Sequence, residues 1–132
     1  MKAYVNGIRV IPTEEEEQIM LFSWAKTQED VHPELRLMFH VPNGGKRGKT
    51  EAARFKAAGV KAGVPDICLP VARRGFHAVY IEMKALDGGP SREQGEWIAR
   101  LTEQGCCARV CYGCDDAILT LRWYLGKEEV KA

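Results

Sequence analysis

The chain has 132 residues, of which 45% are hydrophobic and 28% are charged, and its formal net charge is +1. This composition excludes an intrinsically disordered protein, and the length lets one domain bury a core without disulfides or structural metals. A net charge so close to zero excludes a general attraction to nucleic acid, so a nucleic-acid site would depend on where the charges lie.

The sequence also bears on the cellular compartment. It has no apolar stretch long enough to cross a bilayer and no apolar N-terminal stretch of the signal-peptide kind, so we expect a cytoplasmic protein with no membrane partner. We expect the five cysteines to be reduced thiols that pack in the interior. Zinc is not expected, because Cys111 and Cys114 form a single CxxC pair and a structural zinc site needs four ligands.

The N-terminal region is predicted to be a β-hairpin. Short β-prone runs flank Asn6 and Gly7, two residues that tolerate the positive φ angles of a tight turn. We therefore divide the chain into a hairpin appendage (residues 1–12), a single domain (13–126) and a charged tail (127–132).

A helix and a strand are predicted next. Thr13 is placed to cap a helix that runs to about Gln28, and the first turn of this helix carries four glutamates at the positive end of its dipole. Residues 35–41 alternate in character, which is typical of a strand, and a Pro-Asn-Gly-Gly turn ends it. His40 on this strand is interpreted as a structural histidine, with a substrate contact as the alternative, and stays outside the catalytic set.

The middle of the chain is predicted to hold a short helix and two strands. Thr50 can cap the helix and Gly59 can close it. Residues 64–69 have β character, and Asp66 is placed near the start of the strand that they form. Residues 76–84 form the clearest strand, with alternating faces. One face carries Val79, Ile81 and Met83, and the other carries Tyr80, Glu82 and Lys84.

The last third of the chain is predicted to be helix, strand and helix. Ser91 and Gln94 have the spacing of a capping box, Gly105 ends this helix, and residues 106–112 form a strand. A final helix should begin near Asp115 or Asp116. The order of these elements predicts a layered α/β domain, in which helices flank a central mixed β-sheet.

Asp66, Glu82 and Lys84 form the candidate catalytic set. If their two strands pair as neighbours, the two carboxylates meet at one edge of the sheet, and Lys84 lies two residues further along the same face. A hard divalent cation relieves the repulsion between paired carboxylates, which favours magnesium or manganese. Such a cation activates water and neutralises charge on a phosphate, and a lysine can orient that water. The set predicts phosphodiester hydrolysis, with a plain network of ion pairs as the alternative.

A basic segment precedes Asp66. Residues 46–61 contain six cations and a single acid, Glu51. Positive charge and free backbone amides in such a segment can hold a phosphate backbone. The predicted nucleic-acid-binding residues are Asn43, Lys46, Arg47, Lys49, Arg54 and Lys61.

Several motifs follow one another in a characteristic order. They are Asn-Gly-Gly-Lys-Arg at 43–47, Gly-Val-Lys-Ala-Gly-Val-Pro-Asp at 59–66, Ile-Glu-Met-Lys at 81–84, Ser-x-x-Gln at 91–94, and Trp97. This succession resembles the VRR-NUC family, a branch of the PD-(D/E)XK nuclease superfamily, over nearly the whole chain. The resemblance implies a restriction-endonuclease-like core and an endonuclease that cleaves DNA with Mg²⁺ or Mn²⁺.

The resemblance also implies roles for individual residues. Asp66 and Glu82 would bind the metal with help from the backbone carbonyl of Met83, and Lys84 would be the catalytic lysine. Gln94 matches a glutamine of the family's active site, a role compatible with its capping box.

A glutamate of the first helix often completes such sites in the family. Glu17 is our first choice, because it lies on the same helical stripe as Leu21 and Trp24, and Glu14 is the second choice. A purely electrostatic role at the helix N-terminus is an equal alternative for each.

Small stand-alone members of the family resemble phage or bacterial proteins, which implies action on branched DNA, such as a Holliday junction, in the bacterial or phage-infected host cytoplasm. A junction needs two symmetric sites, so we expect a homodimer. The candidate contact surfaces are the N-terminal hairpin with Tyr4, Val5 and Ile8, and the last helix with Trp123 and Tyr124. Three other functions stay open: a non-catalytic nucleic-acid-binding module, an RNA-directed nuclease and a regulatory interaction protein.

Overall fold

The computed structural model describes residues 2–42 and 48–126. The elements in chain order are β1 (Tyr4–Val5), β2 (Ile8–Arg9), α1 (Glu14–Thr27), a 3₁₀ helix (Pro33–Leu37), β3 (Phe39–His40), α2 (Lys49–Ala57), β4 (Ile67–Leu69), β5 (Val79–Lys84), α3 (Arg92–Glu103), β6 (Cys107–Tyr112) and α4 (Cys114–Tyr124). Within this described part, every helix is too short or too polar to traverse a lipid bilayer.

A four-stranded mixed sheet organises the domain, in the order β3-β4-β5-β6. Neighbouring strands are antiparallel from β3 to β5, whereas β5 and β6 are parallel. The parallel pair requires a crossover connection, and α3 supplies it. The predicted α/β fold with a mixed sheet is therefore confirmed.

The core lies between one face of the sheet and the helices α1 and α4. Val79, Ile81 and Met83 are completely buried on this face of β5 and pack with Leu21 of α1 and Leu121 of α4. The predicted alternation of β5 is confirmed, because its other face carries the ionisable pair Glu82 and Lys84, whose charged groups lie 3.7 Å apart.

The local signals at three element ends are also confirmed. Thr13 caps α1 in a capping box with Glu16, and Ser91 caps α3 in a capping box with Gln94. Asn6 adopts a φ of 51° in the turn between β1 and β2. An ion pair of 3.1 Å between Arg9 and Asp87 ties this hairpin to the loop that follows β5.

The predicted strand over residues 35–41 is wrong in its first half. Pro33 starts a 3₁₀ helix, because its fixed φ suits the first helical turn. The helix turns Leu35 inward and Met38 follows it into the core at a spacing of three residues, while Leu37 faces outward. Buried residues therefore recur every three residues, as in a 3₁₀ helix, and not every two, as in a strand. Only Phe39–His40 pair as a strand.

The predicted start of two helices also needs correction. Gly48, not Thr50, occupies the N-cap position of α2, whose nine residues are all described and none of them buried. The last helix begins at Cys114 because Glu17 of α1 caps it from a distance: the Cys114 N–H donates a hydrogen bond of 3.2 Å to Glu17 Oε1. A cap of this tertiary kind leaves no local signal in the sequence.

Part of the proposed dimer surface is wrong as well. Tyr124 is completely buried, its hydroxyl donates a hydrogen bond to the Val71 carbonyl, and its ring packs against Phe76. Trp123 packs against the core from its edge. These aromatics stabilise the end of α4 and are not available as a surface for a subunit contact.

Gly113 allows the close approach of α4 to Glu17, and we expect Gly113→Ala to destabilise the fold by roughly 1–3 kcal/mol. Its φ of 87° and ψ of 166° fall in a region that is essentially restricted to glycine. An added Cβ would lie 2.9 Å from Glu17 Oε2 and 3.0 Å from Leu86 Cδ2. The free energy of unfolding in urea measures the effect.

Gly95→Ala is the matched control for this prediction. Gly95 lies inside α3, and a Cβ added there meets no described atom within 4 Å. Alanine should stabilise this helix by up to about 1 kcal/mol. Equal stabilities of Gly113→Ala and the wild type would contradict the prediction.

Candidate active site

Asp66 and Glu82 meet where β4 begins beside β5. The antiparallel register pairs Ile67 with Ile81, so Asp66, one residue earlier, lies opposite Glu82. The Met83 N–H donates a hydrogen bond of 3.0 Å to Asp66 Oδ2, which fixes the orientation of this carboxylate. Lys84 Nζ lies 3.7 Å from Glu82 Oε2. The structure thus brings the three predicted catalytic residues together.

The glutamate of α1 that reaches this group is Glu14. Its Oε2 lies 3.5 Å from Lys84 Nζ, and one carboxylate oxygen from each of Glu14, Asp66 and Glu82 falls within 4.8 Å of the others. We call these three residues the carboxylate cluster.

Glu17, our first choice from the sequence, does not join the cluster. It lies three residues further along α1, is buried, and accepts the hydrogen bond from the N-terminus of α4. This hydrogen bond uses the Glu17 carboxylate to link α1 to α4. The position expected for Glu17 is therefore taken by Glu14, the second choice.

Glu82 is the most buried member of the cluster. Its side chain is 1% exposed, and neither of its oxygens has a hydrogen-bond partner within the described residues. The pKa of Glu82 is raised to about 9, first by burial and then by the neighbouring Asp66 carboxylate, with Lys84 acting in the opposite direction. A buried carboxylate without partners is unfavourable unless a proton or a cation neutralises it.

The cluster fits a hard divalent cation. Three carboxylates converge, and the buried oxygens of Glu82 have unused capacity to bind a positive charge. Oxygen ligands of this type suit Mg²⁺ or Mn²⁺. The carbonyl of Met83 as a further ligand stays a prediction.

Two aromatic side chains position the segment around Asp66. The Trp97 indole N–H of α3 donates a hydrogen bond of 3.0 Å to the Ala62 carbonyl, in the loop that leads to Asp66. His40 Nδ1 lies 2.8 Å from the Asp66 carbonyl oxygen, which also accepts the Val41 N–H at 2.7 Å. The sequence offered a signal for Trp97, whose polar indole lies on an otherwise apolar helix stripe. It offered none for the contact of His40.

The side chain of Gln94 is engaged at the start of α3. Its Oε1 accepts the Ser91 N–H at 2.8 Å, as the capping box predicts. A role of Gln94 in catalysis stays a prediction.

The predicted nucleic-acid-binding residues fall into two groups. Asn43, Lys46 and Arg47 lie outside the described residues. Lys49, Arg54 and Lys61 are exposed, with Lys49 and Arg54 on α2. These exposed cations lie on the segment that leads into Asp66.

Comparison with known proteins agrees with this geometry. The family model of the VRR-NUC domain matches residues 13–115. A solved structure described as "VRR_NUC domain protein" is similar at a TM-score of 0.76 and 32% sequence identity, over 92% of this chain and 94% of that chain. Among proteins with curated descriptions, none matches. The VRR-NUC domain is generally a nuclease domain of the PD-(D/E)XK fold, and this chain belongs to the VRR-NUC family.

Proposed function

We propose that the protein is a divalent-metal-dependent endonuclease that hydrolyses phosphodiester bonds of DNA. The observation that carries this proposal is the buried Glu82 carboxylate, whose oxygens lack hydrogen-bond partners among the described residues while Asp66 and Glu14 converge on it. A structural network of ion pairs would pair these oxygens more fully.

Glu14, Asp66 and Glu82 would hold the cation. When bound, a divalent cation supplies charge neutralisation at a phosphate and a lower pKa for water. Lys84 contributes a positive charge of the chain itself: its ammonium is held between Glu14 and Glu82 and its side chain is 10% exposed. It can donate hydrogen bonds to a phosphate oxygen or orient an attacking water.

The exposed cations before Asp66 would bind the phosphate backbone. Lys49, Arg54 and Lys61 are exposed and precede Asp66 in the chain, and contacts of such cations with phosphates attract nucleic acid of any sequence. We assign the same role to Asn43, Lys46 and Arg47 on the basis of the sequence alone.

The first test concerns metal binding, which should depend on pH through Glu82. The carboxylate must lose its proton to bind a cation, so the affinity for Mn²⁺ should rise between the ordinary pKa of 4.5 and about 9, and binding in this range should release a proton. Calorimetric titration in buffers of different ionisation enthalpy measures both. Glu82→Gln should abolish binding, while Lys84→Ala and the exposed-acid control Glu15→Gln should retain it.

The same shift has a consequence for stability in EDTA. A raised pKa means that the folded chain holds the Glu82 proton more tightly than the unfolded chain, so this stabilisation is complete below 4.5 and is lost as the pH approaches about 9. The free energy of unfolding of Glu82→Gln should lack this decline.

For the metal-binding test, a wild type that binds Mn²⁺ equally at pH 5 and pH 8 would contradict the assignment of Glu82.

The second test compares cleavage by matched variants. Asp66→Asn, Glu82→Gln and Lys84→Ala should abolish cleavage of labelled DNA in Mg²⁺, and EDTA should abolish it for the wild type. Glu14→Gln should lower kcat by at least about 10-fold, a typical cost of weakening a metal site. Glu17→Gln keeps the acceptor oxygen for Cys114 and should cut at nearly the wild-type rate. The opposite ranking of Glu14→Gln and Glu17→Gln would show that the wrong glutamate is assigned here.

The third test concerns substrate structure and assembly. We propose a homodimer that acts on branched DNA, with the exposed hairpin side chains Tyr4, Val5 and Ile8 as the candidate contact. Light scattering should give twice the 14.8 kDa mass of the chain. Four-way-junction and flap DNA should be cut faster than linear duplex. A monomer both free and bound to a junction would rule the dimer out.

A further inference from the structure

Two exposed aromatic rings lie on the same face of the sheet as the carboxylate cluster. Phe39 of β3 is 48% exposed, and Tyr112 at the end of β6 is 41% exposed. By contrast, Phe76, Trp123 and Tyr124 pack against one another around the core.

The register of the strands places these two rings. Phe39 pairs with Cys68, which pairs with Tyr80, and Tyr80 shares its face of β5 with Glu82. Tyr112 pairs with Lys84 on the other side, because β5 and β6 are parallel. Both rings therefore belong to the catalytic face.

The two rings lie on opposite sides of Glu82. Phe39 is two strands away and two residues toward one end of the sheet, about 12 Å between Cα atoms. Tyr112 is one strand away in the other direction and two residues toward the other end, about 8 Å between Cα atoms. A nucleic-acid strand whose phosphate sits at Glu82 would bring nucleotides on either side of the cut within reach of the rings.

A cavity opens beside Tyr112. Its volume is about 320 Å³, and its lining includes Pro12, Met20 and Leu86. The exposed carboxylate of Asp115 also lines it and would repel a phosphate, but it can accept a hydrogen bond from a base amino group. The Gly113 N–H, also in the lining, donates a hydrogen bond of 2.9 Å to the Lys84 carbonyl. Glu17 adds a second carboxylate to the lining, so the cavity at the end of the catalytic strand favours a neutral group over a phosphate.

We propose that Phe39 and Tyr112 stack on unpaired nucleobases that flank the phosphate to be cleaved. The bases of a duplex already stack on one another, so a side-chain ring reaches the face of a base only where pairing and stacking are interrupted. The substrate would then carry unpaired nucleotides at the cut. This inference rests on the nuclease function proposed above.

Binding is measured first with Glu82→Gln, in which cleavage is blocked. The probe is a single-stranded oligonucleotide containing 2-aminopurine, whose emission falls when the base stacks. Adding Tyr112→Ala or Phe39→Ala should weaken binding by roughly 5-fold to 100-fold and restore emission. Tyr112→Phe retains the ring and should bind like the parent. Leu119→Ala removes an exposed apolar side chain of α4 and should also bind like the parent.

Cleavage is then measured with a double-mutant cycle. In the otherwise unchanged chain, removing the base next to the cut should slow cleavage by the same factor as Tyr112→Ala or Phe39→Ala. In the variant that has lost the corresponding ring, removing that base should not lower the cleavage rate any further. Fully paired duplex should be cut more slowly than single-stranded DNA.

The outcomes separate this inference from the nuclease function. Metal-dependent cleavage that is indifferent to both rings would overturn the stacking inference and leave the function in place. Ring-dependent binding without any cleavage would overturn the function and leave the base-binding assignment in place. If Tyr112→Ala were a monomer by light scattering but bound DNA with unchanged affinity, the ring would belong to a subunit contact. That result would overturn the inference.

Discussion

The buried carboxylate of Glu82, which accepts no hydrogen bond from the described residues, is the constraint on which the site depends. Its side chain is 1% exposed, so the charge is removed from water, and within the described residues nothing donates a hydrogen bond to it. Glu14 and Asp66 add further negative charge nearby. Lys84 supplies one positive charge against three carboxylates, so a bound proton or cation would relieve the repulsion that remains.

The rest of the fold keeps these groups in place. Asp66 is held at three points, by the Met83 N–H on its side chain and by Val41 and His40 on its carbonyl. Helix α3 holds the preceding loop through Trp97 and through the close packing of Gly63, where a Cβ would lie within 2.9 Å of Glu93 atoms. Such support matters because catalytic groups lose effectiveness with small displacements.

Sequence reasoning reached the parts of the fold and site that depend on local periodicity. The alternation of β5 placed Glu82 and Lys84 on one face, and the Thr13 N-cap and the Ser91 capping box fixed the starts of α1 and α3. It ranked Glu17 ahead of Glu14, because both lie on one helical stripe and nothing local shows that the docking of α4 engages Glu17 elsewhere. Residues 33–41 fit both the spacing of a helix and the alternation of a strand, and the pattern of buried residues shows that the first half is helical.

Helix α1 joins the site and the scaffold within a single turn. Glu14 reaches Lys84, while Glu17, three residues later, holds the N-terminus of α4. A cation bound at Glu14 would therefore restrain the same helical turn that secures α4. A ligand that binds only the folded chain adds stability in proportion to the logarithm of its concentration. The packing of α1 on α4 would then vary with the concentration of the cation that the cluster binds.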